Sequence, residues 1–257
     1  MTGSVFANDA LAGRVVLVTG ASRGIGAAIA LACAEAGADV AVGYHHGVSG
    51  AAATVSAVRS HGKEAEAFQA DVRETAQVEA MIGAVLDRFG RIDGLVNNAG
   101  VMAESRVVDM AEDEWRHVID VNLTGAFLCS RAALPGMLQR GSGSIVMISS
   151  RLGQIGFAGV AHYAAAKAGL LGLAKSLAKE VGPEGVRVNV VAPGVTITDM
   201  ATDVMEGEVG RRRLAELPSG RFATAEEVAA SAVFLLTDAA AMYHGQTLCP
   251  NGGGHMP

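Results

Sequence analysis

Short runs of β-branched apolar residues alternate along the chain with alanine-rich stretches whose apolar positions follow helical spacing. The alternation begins at Arg14 and is typical of βαβ units, in which helices connect parallel strands. It predicts seven strands, over Val15–Thr19, Val40–Tyr44, Ala65–Gln69, Ile92–Val96, Ser144–Ser149, Arg187–Val191 and Thr247–Cys249. It also predicts six helices, over Ile25–Ala36, Gly50–His61, Gln77–Phe89, Glu112–Leu138, Val160–Val181 and Ala225–Leu236. The expected fold class is α/β, with a doubly wound, seven-stranded parallel sheet and helices on both faces.

Local signals mark the ends of these elements and the limits of the domain. Gly37 is placed to end the first helix, and Thr224, with Glu227 three residues on, is placed to cap the last. No linker, repeat or low-complexity tract interrupts the series, so we expect a single domain, residues 1–257, with an N-terminal tail at residues 1–12. The segment Gly194–Pro218 is longer than an ordinary connection and has mixed polarity, which predicts a lid or substrate loop.

Composition and charge narrow the classes of partner. Half of the 257 residues are apolar, which is enough for a substantial core without metals or cross-links. The net charge of -6 argues against nucleic acid as a partner, because phosphate binding relies on an excess of Lys and Arg. The one basic run, Arg211–Arg213, is expected to form a solvated helix face.

Neither the cysteines nor the histidines form a pattern typical of a metal site. Cys33, Cys129 and Cys249 lie far apart inside apolar segments, so we expect them to be reduced core residues. No carboxylate or further histidine stands at ligand spacing from His45-His46 or from His162, and no metal is predicted.

The sequence also bears on membrane association. Residues Met1–Ala10 lack a basic region followed by a long apolar run. No later stretch approaches the roughly 20 apolar residues that are needed to span a bilayer. The protein is therefore expected to be cytoplasmic, with no membrane partner.

A glycine-rich turn joins the first strand to the first helix in the order Thr19-Gly20-Ala21-Ser22-Arg23-Gly24-Ile25-Gly26, and we call these residues the glycine turn. Glycines here let the backbone approach a pyrophosphate, and the helix N-terminus offers N–H groups and a partial positive charge. A purely structural turn is the alternative, and the spacing differs from the common G-x-G-x-x-G. The order of strand, turn and helix predicts a nucleotide site with the binding residues Gly20, Ser22, Arg23, Gly24, Ile25 and Gly26.

Three further motifs follow in order: Asn97–Gly100 after the fourth strand, Tyr163-x-x-x-Lys167, and Pro193-Gly194 after the sixth strand. With the glycine turn they resemble the short-chain dehydrogenase/reductase family over nearly the whole chain, which implies a Rossmann fold that binds a nicotinamide cofactor. By this resemblance the cofactor would also meet Asp71, Val72, Asn98, Ala99, Gly100, Pro193, Gly194, Val195 and Thr196. A helix N-cap is nearly as good an interpretation of Asp71, because it precedes a helix by a few residues, and both roles could hold together.

Tyr163 and Lys167 are four residues apart in a strongly helical stretch, so they share one helix face. A nearby cation favours the phenolate, and we expect Lys167 and the positively charged oxidised nicotinamide to lower the pKa of Tyr163 jointly from about 10. Taken alone, such a pair usually lies on the surface. The resemblance makes both residues catalytic and cofactor-binding, with Ser150 on the substrate carbonyl and Asn122 interrupting a long helix to hold a water. Ser149 is the adjacent candidate, and only the family's spacing prefers Ser150.

The end of the second predicted strand bears on the choice of cofactor. NAD-specific relatives place an acidic residue there, which binds the ribose hydroxyls and repels a 2′-phosphate. This sequence has Tyr44 instead, and Arg23 in the glycine turn is placed to bind the phosphate. His45 would add a smaller contact. These residues predict NADP(H), unless Arg23 only caps the turn or lies in solvent.

Within the family, four segments look most like 3-oxoacyl-(acyl-carrier-protein) reductases: Tyr163–Leu170, Lys175–Glu180, Val188–Gly194 and Gly245–Cys249. This implies NADPH-dependent reduction of a small-molecule ketone to a secondary alcohol, with Tyr163 as the proton donor. Glu184 counts against carrier-protein docking, because those relatives carry a basic residue in that turn. The mixed segment Arg151–His162 does not exclude a sugar, polyol or xenobiotic carbonyl or alcohol as substrate. A nucleotide-binding regulator without catalysis is the alternative from another class.

The predicted helix Val160–Val181 presents Ala, Gly and Leu nearly all round, so it needs cover on two sides. One side would be the sheet. The other would be a symmetry mate, as in family relatives, paired through small residues that allow close approach. We therefore expect a homotetramer.

Overall fold

The computed structural model describes residues 9–198 and 207–257. Within them seven strands form one parallel sheet in the order β3-β2-β1-β4-β5-β6-β7. The strands are β1 Val15–Val18, β2 Asp39–Tyr44, β3 Ala65–Gln69, β4 Gly94–Asn97, β5 Gly143–Ile148, β6 Val186–Val191 and β7 Thr247–Leu248. The predicted doubly wound parallel sheet is confirmed.

The helices of the described residues cover both faces of the sheet. They are α1 Gly24–Glu35, α2 Val48–Ser60, α3 Thr75–Phe89, α4 Glu112–Ile119, α5 Gly125–Arg140, α6 Leu152–Ile155, α7 Ala161–Val181, α8 Gly207–Ala215 and α9 Ala225–Leu236. A π-helix, Asp120–Thr124, joins α4 to α5, and short 3-10 helices lie at Gly182–Glu184 and Asp238–Ala240.

The sheet separates two hydrophobic cores. On one face Val16 and Val18 pack with residues of α1, α2 and α9. On the other face Leu17 packs with residues of α3, α5 and α7. Both faces of each central strand are buried, which is why the strands read as continuous apolar runs. Leu11, in the segment predicted as a tail, is fully buried in the first core.

The long helix predicted over Glu112–Leu138 is divided into α4, the π-helix and α5. The break lies at Asn122, whose Nδ2 donates to Val118 O at 2.9 Å and to Val101 O at 2.8 Å. A side chain that bonds the carbonyl of the preceding turn disturbs the regular helical ladder. The helix is therefore interrupted at Asn122, as expected, and the interruption takes the form of a π-helix.

Two predictions concern the region between β6 and α9: the N-terminal cap of α9 and the substrate loop. Thr224 Oγ1 accepts from the Glu227 N–H, and the Glu227 side chain accepts from the Thr224 N–H, so the predicted cap of α9 is confirmed. Residues 199–206 of the predicted substrate loop lie outside the described residues. Before them Thr196 forms a β-bridge with Ala223, and after them the loop contains α8.

The three cysteines are free thiols. Burial raises the pKa of both Cys33 and Cys129 to about 12, so these two thiols stay protonated near neutral pH. Cys249 is half-buried. Among the residues described, no helix is long and apolar enough to cross a bilayer.

Candidate active site

A cavity of about 770 Å³ lies at the carboxyl ends of the central strands. From the neighbouring strands β1 and β4 the chain winds toward opposite edges of the sheet, and ligands of such folds bind at this switch point. All the sequence-predicted site residues line the cavity: Gly20, Ser22, Arg23, Gly24, Ile25, Gly26, Tyr44, His45, Asp71, Val72, Asn98, Ala99, Gly100, Asn122, Ser150, Tyr163, Lys167, Pro193, Gly194, Val195 and Thr196.

The glycine turn leaves β1 and enters α1 with two glycines in the left-handed region, Gly20 at φ +64° and Gly24 at φ +56°. A Cβ at Gly20 would lie 2.8 Å from Ala99 Cα, and a Cβ at Gly26 would overlap Gly20 O and Asn98 Nδ2. Because these positions carry no side chains, the turn packs closely against the segment after β4. The N-terminus of α1 is thereby open to the cavity.

Hydrogen bonds tie the glycine turn to the segment that follows β4. Thr19 Oγ1 accepts from the backbone N–H groups of Asn98 and Ala99 at 3.0 and 3.1 Å. Asn98 Nδ2 donates to Thr19 O and Gly20 O at 2.9 and 3.1 Å. Asn97 Nδ2 instead donates to Ser130 Oγ at 2.9 Å, inside the fold. This network fixes one wall of the cavity. Thr19 contributes to it, although the sequence provides no reason to assign Thr19 a binding role.

Asp71 follows β3 and is buried at the cavity wall. Arg73 Nε donates to both carboxylate oxygens at 3.0 Å, and the Arg73 N–H donates to Asp71 Oδ1 at 3.0 Å. These bonds hold the pKa of Asp71 at about 2, so the carboxylate is ionised at neutral pH. The N-cap interpretation of Asp71 is wrong, because Glu74 is the N-cap residue of α3.

Tyr44, His45 and Arg23 also line the cavity, and we call the part formed by them, the glycine turn and Asp71 the nucleotide end. Tyr44 is the last residue of β2, and the His45 Nε2 lies 3.8 Å from Asp71 Oδ2. Arg23 precedes α1 and makes no side-chain capping hydrogen bond there. Its side chain therefore does not act as a helix cap.

Tyr163 and Lys167 project from α7 into the cavity beside the end of β5. Lys167 Nζ lies 5.6 Å from the centre of the Tyr163 ring and donates to Ile148 O at 2.8 Å. The Ser150 side chain hydrogen-bonds Tyr163. Ser149 Oγ donates instead to Lys167 O at 2.7 Å. Of the two adjacent serines, Ser150 therefore meets the phenol and Ser149 ties β5 to α7.

Burial governs the ionisation of the tyrosine and the lysine. It raises the pKa of Tyr163, and the hydrogen bond from Ser150 opposes this rise. It lowers the pKa of Lys167 to about 8. Without cofactor the pKa of Tyr163 is therefore raised, because loss of hydration penalises the phenolate. The expected lowering by Lys167 and the oxidised nicotinamide together stays a prediction.

Asn122 lies next to Lys167 at the cavity wall. Its Oδ1 is buried and has no hydrogen-bond partner among the described residues. A Cβ at Gly100 would lie 2.7 Å from Asn122 Oδ1 and 3.4 Å from Lys167 Nζ, so both groups border the same small space. A buried acceptor without a protein partner favours an ordered water at this point.

Two arginines that sequence reasoning left out also line the cavity. Arg151 follows Ser150 directly and is 9% exposed. Arg213 belongs to α8, and its guanidinium carbon lies 4.4 Å from the centre of the Phe157 ring. The prediction of a solvated face over Arg211–Arg213 is wrong for Arg213, which is half-buried. The sequence signals were segmental: Arg151 begins the segment Arg151–His162 that bears on substrate choice, and Arg213 lies in the predicted substrate loop Gly194–Pro218.

His162 adjoins Tyr163 in sequence but is not a cavity residue. It is fully buried, and its Nε2 lies 3.3 Å from Glu114 Oε1, which links α7 to α4. Over residues 9–198 and 207–257, no group of three or more His, Cys, Asp or Glu side chains is arranged to hold a metal ion.

The class of protein follows from what the cavity brings together. A helix N-terminus suited to phosphate lies across from a phenol, a serine and an ammonium, at the switch point of a parallel sheet. This is the arrangement of a dinucleotide-dependent oxidoreductase. The sequence model of the family described as enoyl-(acyl carrier protein) reductase matches residues 20–255. The chain belongs to the short-chain dehydrogenase/reductase family.

Individual relatives agree with this assignment. FabG, the 3-oxoacyl-(acyl-carrier-protein) reductase of Staphylococcus aureus (strain Mu50), is 44% identical over 240 residues, which are 93% of this chain and 97% of that protein. A 3-oxoacyl-(acyl-carrier-protein) reductase of Synechocystis sp. is 45% identical over 245 residues, with coverages of 95% and 98%.

Solved structures give the same result for the fold. A protein of Sinorhizobium meliloti 1021, described as a short-chain alcohol dehydrogenase, has a TM-score of 0.92 and 38% identity, covering 96% of this chain and 98% of that one. A protein of Beutenbergia cavernae, described as an NAD(P)-dependent gluconate 5-dehydrogenase with NADP bound at low occupancy, has a TM-score of 0.91 and 38% identity, with coverages of 96% and 99%.

Proposed function

We propose that this protein is an NADPH-dependent reductase that converts a ketone into a secondary alcohol in the manner of the 3-oxoacyl reductases. The observation that carries the proposal is the meeting of Tyr163, Ser150 and Lys167 in one cavity with the glycine turn. A regulator that only binds nucleotides needs the turn but has no use for a half-buried phenol beside an ammonium. The cluster therefore favours an enzyme over a catalytically silent regulator.

The residues at the nucleotide end fit a nicotinamide dinucleotide. Gly20, Gly24 and Gly26 line the cavity at the N-terminus of α1 without side chains, and a pyrophosphate there would have its negative charge stabilised. When bound, NADPH supplies the hydride that the carbonyl carbon accepts. The remaining contacts are assigned to Ser22, Arg23, Ile25, Tyr44, His45, Asp71, Val72, Asn98, Ala99, Gly100, Lys167, Pro193, Gly194, Val195 and Thr196.

The chain's own side chains handle the proton. Ser150 donates a hydrogen bond to the substrate carbonyl oxygen and holds it beside the phenol. Tyr163 gives its proton to that oxygen, and the raised pKa of Tyr163 keeps the phenol protonated beforehand. Lys167, near the ring, stabilises the phenolate that results. Asn122 Oδ1 holds a water through which a proton returns to the cluster.

The preference for NADPH rests on the positive side chains at the nucleotide end. Tyr44 stands where a carboxylate would repel a 2′-phosphate, and Arg23 and His45 line the cavity beside it. The nearby carboxylate of Asp71 is paired with Arg73. A guanidinium binds phosphate strongly and often through two hydrogen bonds, so Arg23 favours the phosphorylated cofactor.

The substrate assignment is supported by relatives that are named 3-oxoacyl-(acyl-carrier-protein) reductases at 44% and 45% identity. Glu184 is exposed in the 3-10 helix after α7, where carrier-protein reductases have a basic residue. We therefore assign ketone reduction without docking of an acidic carrier at that turn. A sugar or polyol is the alternative, and a neighbouring structure is described as a gluconate 5-dehydrogenase.

One assay separates these functions. NADPH oxidation is followed with an acetoacetyl thioester, a small diketone, an aldose and a cyclic ketone, and the Tyr163→Phe variant serves as the control. We expect the acetoacetyl thioester to give the largest kcat/KM among the four. A higher value with the aldose would favour the sugar or polyol assignment. Tight NADPH binding without turnover of any carbonyl would support the regulator.

We also propose a homotetramer that works in the cytoplasm. On α7 the small residues Ala165, Ala168 and Gly172 are exposed, as a helix paired with its symmetry mate requires. Free thiols fit a reducing compartment. Light scattering at micromolar concentration tests the assembly, and a monomer would refute it.

A further inference from the structure

The part of the cavity formed by Arg151, Phe157, Arg213 and Glu104, which we call the arginine end, adjoins Ser150. Arg151 is the residue after Ser150, so its guanidinium and the carbonyl-binding hydroxyl leave the same turn after β5. The Arg151 N–H donates to Pro193 O at 2.8 Å, which fixes this turn to the end of β6. Arg151 is thus anchored beside the proposed reaction centre.

The guanidinium of Arg151 is buried but largely unpartnered. Arg151 is only 9% exposed, and the hydrogen bond that its side chain makes within the described residues runs from Nη1 to Gly254 O at 3.1 Å. No carboxylate of the described residues lies within the 4.0 Å of an ion pair. A guanidinium has five N–H donors, and a buried charge is costly unless it is paired. The remaining donors of Arg151 are available to a ligand in the cavity.

Arg213 brings a second positive charge to the same place. Burial and the nearby charge of Arg151 lower the pKa of Arg213, while Glu104 and Glu216 act in the opposite direction. Arg213 also has no carboxylate within ion-pair distance among the described residues. Glu104 is exposed to solvent, so it offsets only part of the charge of the two guanidinium groups.

We propose that the arginine end binds an oxyanion of the substrate, a carboxylate or a phosphate, and so selects carbonyl compounds that carry a negative charge. The inference rests on the proposed function, because that function places the substrate carbonyl at Ser150 and Tyr163. A planar guanidinium matches a carboxylate or phosphate through two parallel hydrogen bonds. Among 3-oxoacyl compounds, the preferred ones would be those with a charged acyl chain.

Pairs of one charged and one neutral compound test whether the negative charge is recognised and whether a carboxylate or a phosphate carries it. The carboxylate pair is 3-oxobutanoate and its methyl ester, and the phosphate pair is dihydroxyacetone phosphate and dihydroxyacetone. Each compound is titrated calorimetrically into the enzyme with NADP⁺, where no reduction takes place, and is assayed separately with NADPH. The variants are Arg151→Met, Arg151→Lys and Arg213→Met, and Arg211→Met is the control because Arg211 is exposed on the same helix and lies outside the cavity.

We expect the wild type to bind one anion at least about 10-fold more tightly than its neutral partner, since charge-assisted hydrogen bonds contribute on the order of 1.5–3 kcal/mol. Arg151→Met should weaken binding of the anion by roughly 10- to 100-fold and binding of the neutral compound by less than about threefold. Arg213→Met should have a smaller effect of the same kind, Arg151→Lys should retain part of the preference, and Arg211→Met should change nothing. The pair that responds identifies carboxylate or phosphate.

The possible failures are distinct. Equal losses for the anion and its neutral partner, or a wild type with no preference in either pair, would overturn the inference while leaving ketone reduction intact. An enzyme that reduces no ketone in the kinetic assay would overturn the proposed function. In that case the calorimetric comparison would still decide whether Arg151 binds the anion.

Discussion

The two ends of the cavity are built from different parts of the protein. At the nucleotide end the glycine turn presents backbone and small residues apart from Arg23, with Tyr44 and His45 beside it, and the buried carboxylate of Asp71 is paired with Arg73. At the arginine end, long side chains from separate segments meet. Arg151 and Arg213 there have no carboxylate partner within the described part of the chain. At the nucleotide end the protein itself neutralises the buried carboxylate of Asp71, whereas at the arginine end two buried or half-buried guanidinium groups are left for a ligand to neutralise.

This difference separates two kinds of specificity. Backbone and small residues recognise the pyrophosphate that all dinucleotides share, and side chains recognise what differs between one substrate and another. Changes at the nucleotide end should therefore alter cofactor use with every substrate. Changes at the arginine end should alter substrate choice with the same cofactor. Tyr163 and Lys167 stand between the two ends and should affect turnover itself.

The largest effect is expected from Tyr163→Phe. This substitution deletes the transferable proton and little else, and general acid catalysis is worth on the order of 100- to 10,000-fold, so kcat should fall by at least about 100-fold. The Kd of NADPH, measured by fluorescence titration, should remain near the wild-type value. Tyr243→Phe is a matched control outside the cavity. A Tyr163→Phe enzyme with more than about a tenth of the wild-type kcat would exclude the proton-donor role.

Arg23→Ala probes the nucleotide end alone. Loss of a guanidinium–phosphate contact should raise the KM for NADPH by roughly 10- to 100-fold and barely change the KM for NADH. The measurement is kcat/KM with both cofactors for the wild type and the variant. Equal losses with the two cofactors, or a wild type that favours NADH, would remove Arg23 as the basis of cofactor choice.

Lys167 lies beside Tyr163 in the cavity, and its ionisation should affect the free energy of unfolding of the protein without cofactor. Its pKa is about 8 in the folded protein and 10.5 in an unfolded chain, so between these values the unfolded chain binds more protons. The free energy of unfolding should therefore rise with pH above about 8, relative to Lys167→Met, by about 1.4 kcal/mol per pH unit.

Urea denaturation of both proteins between about pH 8 and 9.5 measures this difference, and the contributions of Cys33 and Cys129 cancel in the comparison. At pH 7 both states of Lys167 are charged, so the two curves should run parallel there. Parallel curves throughout the upper range would show that the ammonium keeps its ordinary pKa in the fold.

The smallest effect is expected outside both ends of the cavity. Thr224→Ala removes the side chain that accepts from the Glu227 N–H at the start of α9, and loss of such a cap costs about 1 kcal/mol. The free energy of unfolding should fall by this amount, with the kinetic constants for both cofactors unchanged. A change in the KM for either cofactor would show that α9 is coupled to the cavity.

The nucleotide end could be predicted from the sequence because its requirements are local. The glycine turn must be free of side chains within a few residues of a strand and a helix, and the positions of Gly20, Gly24 and Gly26 record this directly. The strands were predictable for a similar reason, since burial on both faces requires continuous apolar runs.

The arginine end could not be predicted, because the residues that form it are far apart in the chain. The basic run that contains Arg213 predicts a solvated helix face, whereas the contact of Arg213 with Phe157 exists only in the folded protein. The rise in the pKa of Tyr163 without cofactor could not be predicted either, because spacing reveals the neighbouring ammonium but not the loss of hydration. Asp71 was ambiguous for a different reason: a carboxylate shortly before a helix can cap the helix or pair with a nearby arginine, and only the structure shows the bonds to Arg73.

The most direct test of the central claim follows the hydride and the alcohol in one reaction. The enzyme is given an acetoacetyl thioester and NADPH that carries two deuterium atoms at C4 of the nicotinamide, and the product is analysed by mass spectrometry. We predict that one NADPH is oxidised for each secondary alcohol formed, with one deuterium on the carbinol carbon. Oxidation of NADPH without deuterium at that carbon, or binding of NADPH without reduction of any ketone, would contradict the account.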